Sequence, residues 1–117
     1  MFKPVLEQLV RRVEGARGAL VMGLDGLTVE QVRFGAELDL EGIATELSPV
    51  LVGLLKSARE LQLGALEEVS LRLEKLVLVA RWINPEYFVV IALVADGNFG
   101  RARFELRKAV LSLHDQF

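Results

Sequence analysis

The 117 residues contain no cysteine. That excludes a disulfide scaffold and a thiolate zinc site. Long apolar runs are missing too. A membrane-spanning helix needs about 20 mostly apolar residues, whereas the longest uncharged stretches, Leu47–Leu55 and Tyr87–Ala95, have nine residues each. The N-terminus, Met1-Phe2-Lys3-Pro4, runs into Glu7, Arg11, Arg12 and Glu14 and lacks the apolar centre of a signal peptide. A cytoplasmic location without membrane insertion is therefore expected. Neither sign of charge dominates: 14 basic and 16 acidic side chains leave a net charge of -2. This argues against a protein that grips nucleic acid by bulk electrostatics. Histidine occurs once. His114 lies near the chain end beside Asp115, without a serine nucleophile signature nearby, and reads as a solvated tail residue. No catalytic residue, metal or cofactor is expected, and the chain does not read as an enzyme.

Apolar residues, by contrast, are abundant. They make up 52% of the chain, and mean hydropathy is +0.38. The length allows a single domain, 1–117, with one core. The apolar excess must enter that core or a face covered by another chain.

The pattern along the chain predicts eight elements. Phe2, Val5, Leu6, Leu9, Val10 and Val13 recur at helical spacing. Pro4 suits the first turn and Gly15 the stop. Ala16 to Gly23 and Leu27 to Phe34 read as a hairpin around Asp25-Gly26, and the mixed second strand reads as an edge. Leu38 to Leu63 is the longest helical stretch. Asp39 is its N-cap, Pro49 predicts a kink or a restart capped by Ser48, and Gly64 closes it. Its core stripe is expected to run through Leu40, Ile43, Ala44, Leu47, Val50, Leu51, Leu54, Leu55, Ala58 and Leu61. Leu66 to Glu74 is a strand, with Val69, Leu71 and Leu73 alternating against Glu68, Ser70, Arg72 and Glu74, and one of its faces should be wet. Leu76 to Ile83 and Tyr87 to Ala95 are apolar on both faces, as central strands are. Asn98 caps a last helix to about Leu113 with the stripe Ala102, Leu106, Ala109, Val110 and Leu113. Five strands joined mainly by hairpins imply one antiparallel sheet, an α+β fold in two or three layers, with three helices covering its faces.

Few motifs carry chemistry. Gly18-Ala-Leu-Val-Met-Gly23 has phosphate-loop glycine spacing, but Leu24-Asp25 stands where Lys-Ser/Thr is required. Asp96-Gly-Asn-Phe-Gly100 reads as a turn and cap. Glu67 and Glu68 form no acid–base pair and read as solvated strand charges. Arg101, Arg103, Arg107 and Lys108 leave two readings open: a site for phosphate or an acidic partner, or a solvated helix face with Glu105 pairing Arg101. The back of the long helix is more informative. Val52 and Leu63 sit there among small or neutral residues, and a helix apolar nearly all round is buried on several sides. In so short a chain, one of those sides is expected to meet another molecule.

Three stretches together carry a family resemblance: Gly18-Ala-Leu-Val-Met-Gly-Leu-Asp-Gly-Leu27, Glu46-Leu-Ser-Pro-Val-Leu51, and Asp96-Gly-Asn-Phe-Gly-Arg-Ala-Arg-Phe-Glu-Leu-Arg107. In order and spacing the chain resembles the roadblock family of dynein light chains and its bacterial, MglB-like relatives. The resemblance implies a profilin-like fold, order α-β-β-α-β-β-β-α, and a homodimer with long helices side by side and third strands edge to edge. It places Val52, Leu55, Leu66, Val69 and Leu71 in that dimer interface. It implies a partner, a small Ras-like GTPase, docking near Thr45, Ser48, Val52, Lys56 and Arg59. It supplies no catalytic residue. A structural adaptor in a motility or secretion assembly, without effect on nucleotide turnover, is the alternative. A small-molecule sensor is the third reading, against which Val77, Val79, Ile91 and Leu93 look like packed core.

Overall fold

The computed structural model describes residues 1–35 and 37–117. The first helix, α1 (Phe2–Arg11), is followed by β1 (Ala16–Gly23), β2 (Thr28–Arg33), α2 (Leu40–Leu61), β3 (Glu68–Arg72), β4 (Leu76–Asn84), β5 (Tyr87–Val94) and α3 (Phe99–His114). The strands form one antiparallel sheet in the order β2-β1-β5-β4-β3. The expected fold is the observed one: five antiparallel strands, three helices, α+β, in three layers. No helix among the described residues is long and apolar enough to cross a membrane.

Strand periodicity divides the core in two. Side chains alternate across a strand, so Ala19, Val21, Val77, Val79, Val89, Ile91 and Leu93 face α1 and α3. Leu20, Met22, Leu78, Ala80, Phe88, Val90 and Ala92 face α2. The three inner strands are thus sealed on both sides, as their unbroken apolar runs require. The turns follow local chemistry. Gly26 takes φ +88 beside Asp25, whose Oδ1 accepts from the Leu27 N–H at 3.0 Å. Asn84 Oδ1 accepts from the N–H groups of Glu86 and Tyr87 across the Pro85 turn.

Both long helices are capped where expected. Asp39 Oδ1 accepts from the Gly42 N–H, and Asn98 Oδ1 from the Arg101 N–H, each at 3.0 Å. Pro49, however, does not break α2, which runs unbroken for 22 residues. Ser48 is no cap. Its hydroxyl is buried and donates to the Leu24 carbonyl at 3.0 Å, tying the helix to the end of β1. The missing Pro49 N–H would have met the carbonyl of Thr45, an exposed residue, so water can satisfy that group.

The core stripe of α2 is shorter than its sequence implies. Leu40, Ala44, Leu47 and Leu51 are buried, and past Leu51 no residue of the helix is. Val50, Leu54 and Leu61, expected inside, are 55%, 41% and 65% exposed. The last ten residues, roughly 15 Å of helix, therefore carry apolar side chains into solvent.

Candidate interaction surface

At about 100° per residue, Leu40, Ala44, Leu47 and Leu51 define the sheet-facing direction of α2. Ile43, Val50, Leu54 and Leu61 fall on one flank. Thr45, Val52, Lys56 and Arg59 fall on the other. Contacts identify the second flank with the β1–β2 side: Ser48 bonds to Leu24, and Gln31 Nε2 donates to Glu41 Oε2 at 2.9 Å. The first flank looks toward β3, the outermost strand at the opposite end of the sheet.

That strand turns its apolar side to the same space. Val69 pairs with Ala80 and Leu71 with Leu78, both on the α2 side of the sheet. Leu71 and Leu73 are 39% and 49% exposed. An open groove of about 570 Å³ runs between helix and strand, lined by Ile43, Leu47, Val50, Leu71, Leu73 and Leu78. A contiguous apolar strip thus spans the α2 flank and the sheet edge. Strips of this kind mark interaction sites, and open edge strands invite pairing.

On the opposite side of β3, Ser70 and Arg72 are exposed, as a wet face requires, and Glu68 is the exception. Glu68 is mostly buried and accepts from Arg81 Nη1 at 3.0 Å and from Arg103 Nε at 2.6 Å. It is no solvated strand charge, because α3 lays Arg103 over it. This carboxylate anchors the edge strand to α3. Removing it with Glu68→Ala leaves Arg81, 18% exposed, with only the long contact to the exposed Glu67. A loss of about 2 kcal/mol is expected, read as a lower urea midpoint. Arg103→Ala, at the exposed end of the pair, should cost under about 1 kcal/mol.

The residues singled out in sequence separate into three places. Leu71 lies in the groove, and Val69 is half-buried beneath it. Leu55 and Leu66 line a neighbouring cleft of about 440 Å³ with Arg59 and Trp82. Val52 lies on the far flank with Thr45 and Lys56, Arg59 joins that flank to the cleft, and the structure does not bring Val52 together with Leu71. Of the expected exposed helix positions, Ser48 is the one corrected, being buried against β1. Sequence reasoning missed Val50, Leu54, Leu61 and Leu73. The helical phase of Val50, Leu54 and Leu61 was visible but was assigned to the core, and Leu73 was not singled out on its strand.

The geometry finds counterparts among known proteins. The Roadblock/LC7 domain model matches residues 4–92. The chain is 41% identical to MglC from Myxococcus xanthus, covering 99% of this chain and 98% of that one at a TM-score of 0.73. An MglB structure described as a tetrameric arrangement is 19% identical, with 97% and 85% covered and a TM-score of 0.87. The gliding protein MglB from Thermus thermophilus is 19% identical, with 97% and 86% covered and a TM-score of 0.86. No curated protein matches significantly.

Proposed function

The chain belongs to the Roadblock/LC7 family, and from that premise we propose that it is a homodimeric, non-catalytic regulator or scaffold of a small Ras-like GTPase in the cytoplasm. The observation that carries the reading is the apolar strip shared by the β3-facing flank of α2 and the edge strand β3. Two copies related by a two-fold axis would cover it, since an isologous contact uses the same patch twice. β3 would pair with its counterpart, and Val50, Leu54 and Leu61 would meet those of the second α2. Leu55, Leu66 and Val69 belong at the margin of this contact.

Dimerisation along that flank leaves the other one free. Thr45, Val52, Lys56 and Arg59 then form the docking surface for the GTPase, with two cations beside one apolar side chain. A protein without chemistry of its own changes nucleotide turnover by binding one arrangement of the switch loops better than the other. The test uses a purified, GTP-loaded small Ras-like GTPase of the same cell. A complex on gel filtration and an altered rate of hydrolysis or exchange are expected. A stable complex with unchanged rates would make the protein an adaptor only. The absence of both complex and rate change would sink the reading.

A further inference from the structure

The other side of the sheet carries a second surface, remote from the α2 groove. α3 buries Ala102, Leu106, Ala109 and Leu113. Its opposite face, at about 100° per residue, holds Arg101, Phe104, Arg107, Lys108 and Leu111. Phe104 is 50% and Leu111 70% exposed, although both are large and apolar. They sit two turns apart, roughly 10 Å along the helix. The Arg101 guanidinium and the Lys108 ammonium lie 5.9 Å and 5.4 Å from the Phe104 ring centre. Cations thus flank the exposed ring on both sides.

Beside this face lies a charge cluster that is not balanced. Glu105 is buried, and its Oε1 stands 3.4 Å from Lys108 Nζ, 3.7 Å from Arg101 Nη2 and 3.7 Å from Arg12 Nη1. Three cations share one carboxylate oxygen, each farther away than the roughly 2.7–2.9 Å of a close charge-assisted bond. Their charge is two-thirds uncompensated. The excess extends along this side: α1, α3 and Glu68, which pairs with Arg103, hold six basic and three acidic residues, +3 in a chain of -2, so the rest carries -5.

We propose that the α3 face docks an acidic, amphipathic segment of a partner protein. Its carboxylates would face Arg101, Arg107 and Lys108, and an apolar side chain would cover Phe104 and Leu111. The distribution of charge selects this class of partner. The chain as a whole is negative, which weakens its long-range attraction to an extended anionic surface such as a bilayer or a nucleic acid, whereas a short segment meets only the basic side. A phosphate backbone also offers nothing apolar to Phe104 and Leu111. The face lies across the sheet from the α2 groove, so both can be occupied at once.

The test uses the full chain and a fluorescein-labelled helical peptide of about 18 residues, with Glu on one face and Leu at i, i+3 and i+7. Binding by anisotropy is expected. Affinity should fall about tenfold in the double variant Arg107→Glu/Lys108→Glu, a few-fold in Phe104→Ser, and steeply in about 0.5 M salt. All these positions are exposed or half-exposed, so circular dichroism should be unchanged. Leu71→Glu, across the sheet, should bind as the parent does, which separates this surface from the dimer. No binding, equal binding by the double variant, or equal binding of a peptide with Lys in place of Glu would overturn the proposal. So would co-sedimentation with phosphatidylserine vesicles that the double variant loses, which would assign the face to a membrane.

Discussion

Replacing Leu71 by glutamate is expected to halve the mass in solution, from about 26 kDa, twice the 13.0 kDa chain, to that of one chain. Leu71 sits on the outermost strand, opposite Leu78, and is 39% exposed. A glutamate there reaches water in the monomer, so the fold should survive. In a two-fold contact it is buried twice. Losing about 2 kcal/mol of apolar burial per copy makes roughly 4 kcal/mol, about a thousandfold in dissociation constant. Two carboxylates facing each other across the axis weaken the contact further. Light scattering over a concentration series reads the change, and circular dichroism checks the fold. Val52→Glu is the informative control. Its flank faces away from β3, so that variant should remain about 26 kDa. A dimer that survives Leu71→Glu but is lost in Val52→Glu would move the contact to the outer flank of α2.

That control exists because helix phase and helix burial are different facts. The periodicity of Leu40 to Leu61 shows which residues share a face. It does not show how far the sheet extends beneath them. The underlying strands are covered as far as Leu51, and beyond it the same apolar stripe lies open. Elements whose signals are local were legible. Ala16–Gly23 is the strand expected, and Asp39 and Asn98 cap as their side chains dictate. The order of elements followed from such signals, and the family resemblance from their sequence order, whereas the β1–β5 pairing at the centre of the sheet did not. Partners distant in sequence were not legible. Glu105 has its helical neighbour Arg101 in plain view, yet Arg12, arriving from behind α1, helps turn it from a solvated charge into a buried one. Glu68 is drawn in by Arg103 of α3, which periodicity in β3 cannot reveal. Ser48 looked like a cap because of Pro49, and only tertiary contact gives its hydroxyl to Leu24.

Gly15 shows the same division within one residue, and its substitution should have the largest effect on stability. The sequence marks it as a helix stop, and φ +87 agrees. The structure adds a second demand. A Cβ at Gly15 would lie 2.6 Å from the Gly97 Cα and 2.9 Å from Val94 Cγ2. The turn after α1 is pressed against the turn from β5 into α3. Two backbone bonds fix it there: Val94 N–H to the Gly15 carbonyl and Asn98 N–H to the Glu14 carbonyl, both 2.9 Å. Gly15→Ala combines a left-handed penalty of about 1–2 kcal/mol with a backbone clash that no side-chain rotation relieves, about 1–3 kcal/mol more. The total, about 3 kcal/mol, is a large share of the roughly 5–15 kcal/mol that holds a domain folded. Gly26→Ala separates the two contributions. Gly26 has φ +88, and nothing lies within 4 Å of its added Cβ, so only the left-handed penalty applies. Urea midpoints should therefore fall about twice as far for Gly15→Ala as for Gly26→Ala, and equal falls would show that the close approach costs nothing. The same joint sets α1 against α3, where Arg12 meets Glu105. Gly15→Ala should accordingly weaken acidic-peptide binding at α3 under conditions where the folded protein still dimerises through α2 and β3.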